Sequence, residues 1–268
     1  MLISLVGGCT QGPFPHRKSV DYIEQELAKL APVEINSDLE GLPQGDREAL
    51  KHLLQASYLI DSLFMVQVDP QNPEIRAELV KANYSEHLQL FDIMFGQWNR
   101  LVKDEPFLGH TAKPEGAGFY PANMTKEEFN SILEKYPEEK NAFTSEFTLI
   151  RRDSSGLKAV PYHVAFADKV REISDLLVKA AKATDDPSLA HYLKLRADAF
   201  LTDDYFESDM AWMDLNGDLE IVISPYEVYE DGLFNYKAAY EAFLCRVDHE
   251  ESKKLENVAQ YLNDMERH

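Results

Sequence analysis

Apolar residues recur every three or four positions in "SVDYIEQELAKL" (residues 19–30) and again in "REALKHLLQASYLIDSLFMVQV", which ends at Val68. That spacing gathers the apolar side chains on one helical face. It predicts a helix over 19–30, stopped before Pro32, and a long second helix from Asp46 to Val68. "DPQNP" interrupts the pattern, and Pro73 suits the first turn of a third helix reaching Leu101. These three helices are expected to pack on one another. Thr125 and Glu128 form a capping-box signature for a further helix. "FTLIRRDSSGLKAVPY" reads as strand, Ser-Gly turn and strand. Two more helices are predicted over 162–183 and 187–201, with Asp186 as N-cap. "AWMDLNGDLEIVI" alternates around Asn216-Gly217, which predicts a hairpin turn there. "EAFLCRV" alternates like a strand, and Asp248 with Glu251 caps a last helix running to the end of the sequence. The fold class expected is α+β, helix-rich with two or three β-hairpins or short strands. No internal repeat and no composition break marks a boundary inside residues 16–268.

The 268 residues carry a formal charge of −20, and the acids are spread along the chain. Such a field repels nucleic acid and anionic membrane surfaces and tolerates cationic or amine-bearing ligands. Nucleic acid is therefore not an expected partner. Two cysteines, Cys9 and Cys245, lie far apart, which excludes a disulfide framework or zinc knot and leaves a single disulfide or, as the commoner outcome, a lone buried Cys245 thiol. "MLISLVGGCTQG" has small residues before Cys9, like the cleavage and lipidation site of a bacterial lipoprotein. No Lys or Arg precedes its short apolar run. Two readings stand for residues 1–15: a truncated lipoprotein leader, placing the protein at the cell envelope, or a short strand at Leu2 to Val6 in a cytoplasmic protein.

Several chemistries fail on spacing. No two of His16, His52, His87, His110, His163, His191, His249 and His268 lie one helical turn apart, and beside His249 the needed position holds Lys253. Asp214, Asn216 and Asp218 imitate a calcium loop, yet glycine falls at the fourth position and Leu219 at the sixth. No nucleophile elbow of the G-x-S-x-G type occurs. Gly116 and Gly118 permit unusual backbone in "EGAGFY", which lacks the third glycine and the preceding strand of a dinucleotide loop.

In "ISPYEVYEDGLFNYKAAYEAF" (residues 223–243) aromatic rings and carboxylates interleave around one base, Lys237. The order Glu227, Tyr229, Asp231, Lys237, Tyr240, Glu241, Phe243 resembles the "ESYRD…R…FEGF" block of the dipeptidyl peptidase III family of zinc metallopeptidases. This chain has one extra residue between the Asp and the Tyr-Glu pair. "KPEGAGFYPANMTKEEF", "IRRDSSGLKAVPY" and "LRADAFLTDDYFESDMAWMDL" are similar to the bacterial, often lipoprotein, branch of that family. The resemblance covers nearly everything after the first fifteen or so residues.

The resemblance implies the N-terminal part of a two-lobed metallopeptidase with a wide cleft. The family's HExxxH-type zinc motif, its further glutamate ligand and its general base normally lie beyond the E-x-Y block and have no counterpart among these residues. Zinc is thus expected with the full-length family, and no catalytic residue or metal ligand is expected here. Glu227 is implied as the carboxylate meeting the free N-terminal amine of a peptide, and Tyr229 as a hydrogen-bonding wall. The expected partners are short peptides with a free N-terminus and a missing C-terminal catalytic half. Tyr240 and Phe243 are expected to pack a core, with Glu241 paired to a base. The rival readings are a peptide- or amine-binding surface lipoprotein that needs no metal, and a truncated product without independent function.

Overall fold

The computed structural model describes residues 14–154 and 156–267, so Cys9 and the stretch read as either a leader or a strand at Leu2 to Val6 lie outside the described residues. The first helix, α1 (Val20–Leu27), begins where Ser19 Oγ accepts the Tyr22 backbone N–H. The second, α2 (Gln44–Val68), is the structural axis. Its Ala49, Leu53, Ala56, Ile60 and Leu63 follow the three-four rhythm and are all buried. Near its start the Asp46 carboxylate accepts the Thr184 hydroxyl and the Asp185 backbone N–H, tying it to a loop far along the chain.

The expected third helix is broken in two, α3 (Asn72–Lys81) and α4 (Ser85–Met94). Asn83 takes a left-handed backbone (φ 57°) between them, and Phe95 (φ 54°) ends the second. Asparagine tolerates that conformation better than most residues, so the periodicity continues in sequence while the axis turns. The buried Asn72 side chain donates to the carbonyls of Met65 and Phe95, closing the corner. A small ribbon follows, β1 (Trp98–Asn99) with β2 (Glu105–Pro106). Ile23, Leu79, Leu90, Phe91, Met94, Phe107 and Leu108 form a satellite core for these pieces.

Next comes a 3-10 turn at Ala117–Phe119 laid on the end of α2. Gly118 is needed there for space: a Cβ would meet the carbonyl oxygens of Val66 and Gln67 at 2.7 and 2.8 Å. Thr125 caps α5 (Lys126–Lys135) as expected, but Glu128 reaches out to Arg152 instead of back to the cap. A short α6 (Lys140–Thr144) leads to the hairpin β3 (Thr148–Asp153) and β4 (Gly156–Pro161). The helix expected over 162–183 is interrupted at Phe166, giving α7 (Tyr162–Ala165) and α8 (Ala167–Ala183). Asp186 caps α9 (Pro187–Thr202). The main core lies between α2, α8, α9 and the last ribbon.

The hairpin expected at Asn216-Gly217 does not form. Residues 206–212 are helical, α10 (Phe206–Trp212), which turns Ser208 and Ala211 inward and uses up the residues needed for a first strand. Instead β5 (Leu219–Glu227) pairs with β6 (Ala239–Arg246) across an eleven-residue connection. Asp248 then caps α11 (His249–Ala259), followed by α12 (Leu262–Glu266).

Candidate substrate-binding face

Strand β5 alternates as a half-buried strand should: Leu219, Ile221, Ile223 and Pro225 face the core. On that period Glu227 would follow them inward. It does not, because the register slips: Pro225 opposes Tyr240, and Glu227 opposes Ala239. Tyr226 is the extra residue of a β-bulge. Ala239 and Tyr240 are adjacent on β6, so Pro225 and Glu227 point to opposite faces. The bulge therefore moves Glu227 from the core face to the face that carries Glu241, two residues from Ala239 along β6. The two glutamates become diagonal cross-strand neighbours. Glu241 is half-buried, and its carboxyl is raised above the ordinary range by burial and by the charge of Glu227. Among the described residues, no Lys, Arg or His pairs with either carboxylate.

The segment joining the strands is held by buried charge. Asp231 is fully buried and accepts the backbone N–H groups of Leu233, Phe234, Tyr236 and Lys237 and the hydroxyl of Tyr120 (2.8 Å). One carboxylate thus wraps the whole turn around itself. Burial and the Asp231 charge push the Tyr120 hydroxyl far up, fixing it as a donor. Lys237 is also fully buried and gives its Nζ to Phe143 O, Ser145 O and Thr148 Oγ1 at 2.6, 2.7 and 2.8 Å. Burial pushes its pKa down to about 7, against the opposing pull of Asp231. Glu230 meets Arg100 in two bonds (2.8 and 3.1 Å) and Lys113 at 2.6 Å. Burial would raise this carboxyl, but the hydrogen bonds and charges of Arg100 and Lys113 outweigh it and hold it low.

The interleaved pattern thus separates into roles that spacing alone could not assign. Asp231, Lys237 and Tyr240 are scaffold. Glu227 and Tyr229 are exposed, Tyr229 strongly so at 82%. Tyr229 borders a groove of about 350 Å³ with Lys103, Lys113, Glu115 and Glu230, and Glu227 does not line that groove. Phe243, expected in the core, is 58% exposed, because it shares the outer face with Glu241. Glu241 has a carboxylate neighbour in place of the expected base. Cys245, expected buried, is exposed for the same reason: it alternates onto the outer face opposite Glu220. The partnership of Glu241 with Glu227 was invisible in the sequence, since it depends on a one-residue slip in register.

Folding brings His16 and His110 together, with ring centroids 4.4 Å apart. Still, among the described residues no group of three or more His, Cys, Asp or Glu could hold a metal ion. Asp214, Asn216 and Asp218 form no such group.

The fold and this face define a helix-rich α+β lobe that presents a bulged, carboxylate-bearing ribbon. Solved structures share that lobe, among them two dipeptidyl peptidases. DPP III from Caldithrix abyssi superposes with a TM-score of 0.88 at 47% identity, over 91% of this chain and 47% of that one. Dipeptidyl-peptidase III from Corallococcus sp. strain EGB gives 0.88 at 37% identity, over 92% and 47%. Identity at this level across nine-tenths of the chain supports the dipeptidyl peptidase III family and a peptidase-like lobe. The Arabidopsis thaliana protein named Nudix hydrolase 3 is 33% identical over 83% of this chain and 36% of its own length. The chain spans about half the length of the solved structures it matches and about a third of this relative. No family model matches the sequence.

Proposed function

We propose that this chain is the N-terminal part of a dipeptidyl peptidase III-like zinc peptidase and supplies part of its peptide cleft. Glu227 takes the free N-terminal amine of a short peptide, with Glu241 beside it and Tyr229 as a neighbouring wall. One observation carries the reading: the bulge turns Glu227 onto a face where a second, half-buried carboxylate has no basic partner among the described residues. Two like charges held together favour any ligand that brings a positive one, and an ammonium adds charge-assisted hydrogen bonds. An anchored amine also fixes how far along a peptide the chemistry can fall, which suits the release of dipeptides.

In this proposal the zinc, its ligands and the general base belong to a C-terminal half, and these 268 residues alone bind without hydrolysing. Stoichiometric zinc together with cleavage of dipeptidyl-naphthylamides by the purified chain would contradict that division. The amine reading is tested by calorimetry with unblocked and N-acetylated tripeptides. Acetylation should abolish most of the affinity, and Glu227→Gln should do the same for the unblocked peptide. Equal binding of both peptides sinks it. An envelope address through a lipidated Cys9 belongs to the same proposal, and mass spectrometry of the protein from its native cells tests it.

A further inference from the structure

The bulge that aims Glu227 is gripped through the side chain of its own extra residue. The Tyr226 ring lies against the guanidinium of Arg196, 5.8 Å from carbon to ring centroid. Its hydroxyl donates to Asp209 Oδ1 at 3.4 Å, and the same oxygen accepts Arg196 Nη2 at 2.5 Å. Arg196 itself is fully buried on α9. Among the described residues its Nε and Nη1 have no partner within hydrogen-bond geometry; the rings of Tyr192 and Tyr205, each 5.3 Å away, complete its surroundings. A guanidinium stacks on aromatic faces and gains most there when water is excluded. The guanidinium, two rings and one carboxylate therefore make a seat, built from α9, α10 and the residue before α10, on which the bulged residue rests.

We propose that Arg196, with Asp209, is a positioning group that holds Tyr226 out of the strand register and so keeps Glu227 beside Glu241. The proposal rests on the reading of Glu227 as amine anchor. In a regular ladder Tyr226 would oppose Ala239, and Glu227 would rotate to the Pro225 face. Releasing Tyr226 from its seat removes the contact that selects the slipped register.

Two measurements on the 268-residue chain test this. Cross-strand NOEs report whether Glu227 still opposes Ala239. Calorimetry compares an unblocked tripeptide with its N-acetyl counterpart. The native chain should prefer the unblocked peptide by about tenfold or more, the worth of one charge-assisted hydrogen bond. Tyr226→Ala should lose the Glu227–Ala239 NOE and bring that preference to within about twofold. Tyr226→Phe, which keeps the ring on Arg196, should retain both. A Tyr226→Ala chain that keeps the NOE and the preference overturns the proposal, leaving the cost of burying Glu227 as what sets the bulge. If the native chain shows no preference, the amine reading fails, while the NOE still decides whether the seat holds the register.

Discussion

Replacing Lys237 by methionine removes the amine at the centre of the scaffold while keeping a side chain of similar length. Lys237 Nζ has three acceptors, one for each proton of an ammonium, yet burial pushes its pKa down to about 7 from the ordinary 10.5. Between those values the unfolded chain holds a proton that the folded chain releases. Stability therefore rises with pH across that window, by about 1.4 kcal/mol per pH unit. The full span corresponds to roughly 5 kcal/mol, and the portion from pH 7 to about pH 9.5 to roughly 3 kcal/mol. Urea unfolding of both chains at a series of pH values isolates this contribution, because other titrations are shared. The native chain should gain those ~3 kcal/mol relative to Lys237→Met as pH rises to about 9.5. Parallel profiles would refute the claim that Lys237 is held in a desolvated site.

Three further outcomes follow from the same geometry. Gly118→Ala drives a Cβ into the carbonyls of Val66 and Gln67 and should cost about 1–3 kcal/mol in thermal unfolding. Glu230→Gln leaves Arg100 and Lys113 without their shared carboxylate and should cost about 3 kcal/mol at neutral pH in urea. Since the folded pKa of Glu230 is lowered, its stabilisation is present above the ordinary carboxylate value and lost as pH falls through the folded one, so this cost should shrink in acid. Phe243→Ser, on the outer face, should change stability by no more than about 0.5 kcal/mol; a loss of 2 or more would return that ring to the core.

Elements that announce themselves locally were legible in the sequence. The stripe of α2, the Thr125 and Asp186 caps and the β3–β4 turn depend on residues within a few positions of one another. What failed depends on distant partners. "AWMDLNGDLEIVI" contains a good hairpin turn, but Asp209 of α10 meets Arg196, and residues 206–212 wind into a helix. The outward turn of Phe243 and Cys245 follows from which face of β6 the core covers, and local alternation cannot say which. Glu227 and Tyr229 were singled out from their motif, while Glu241 waited on a bulge that only the register reveals. The comparisons with solved dipeptidyl peptidase III structures support the family that the motif order suggested.

The central claim is that the face shared by Glu227 and Glu241 receives a free amine. A crystal structure of the chain with an unblocked tripeptide tests it most directly. The terminal nitrogen should lie about 2.7–2.9 Å from a Glu227 carboxylate oxygen, on the Glu241 side of the ribbon. A peptide seated in the Tyr229 groove, its amine away from Glu227, would contradict it.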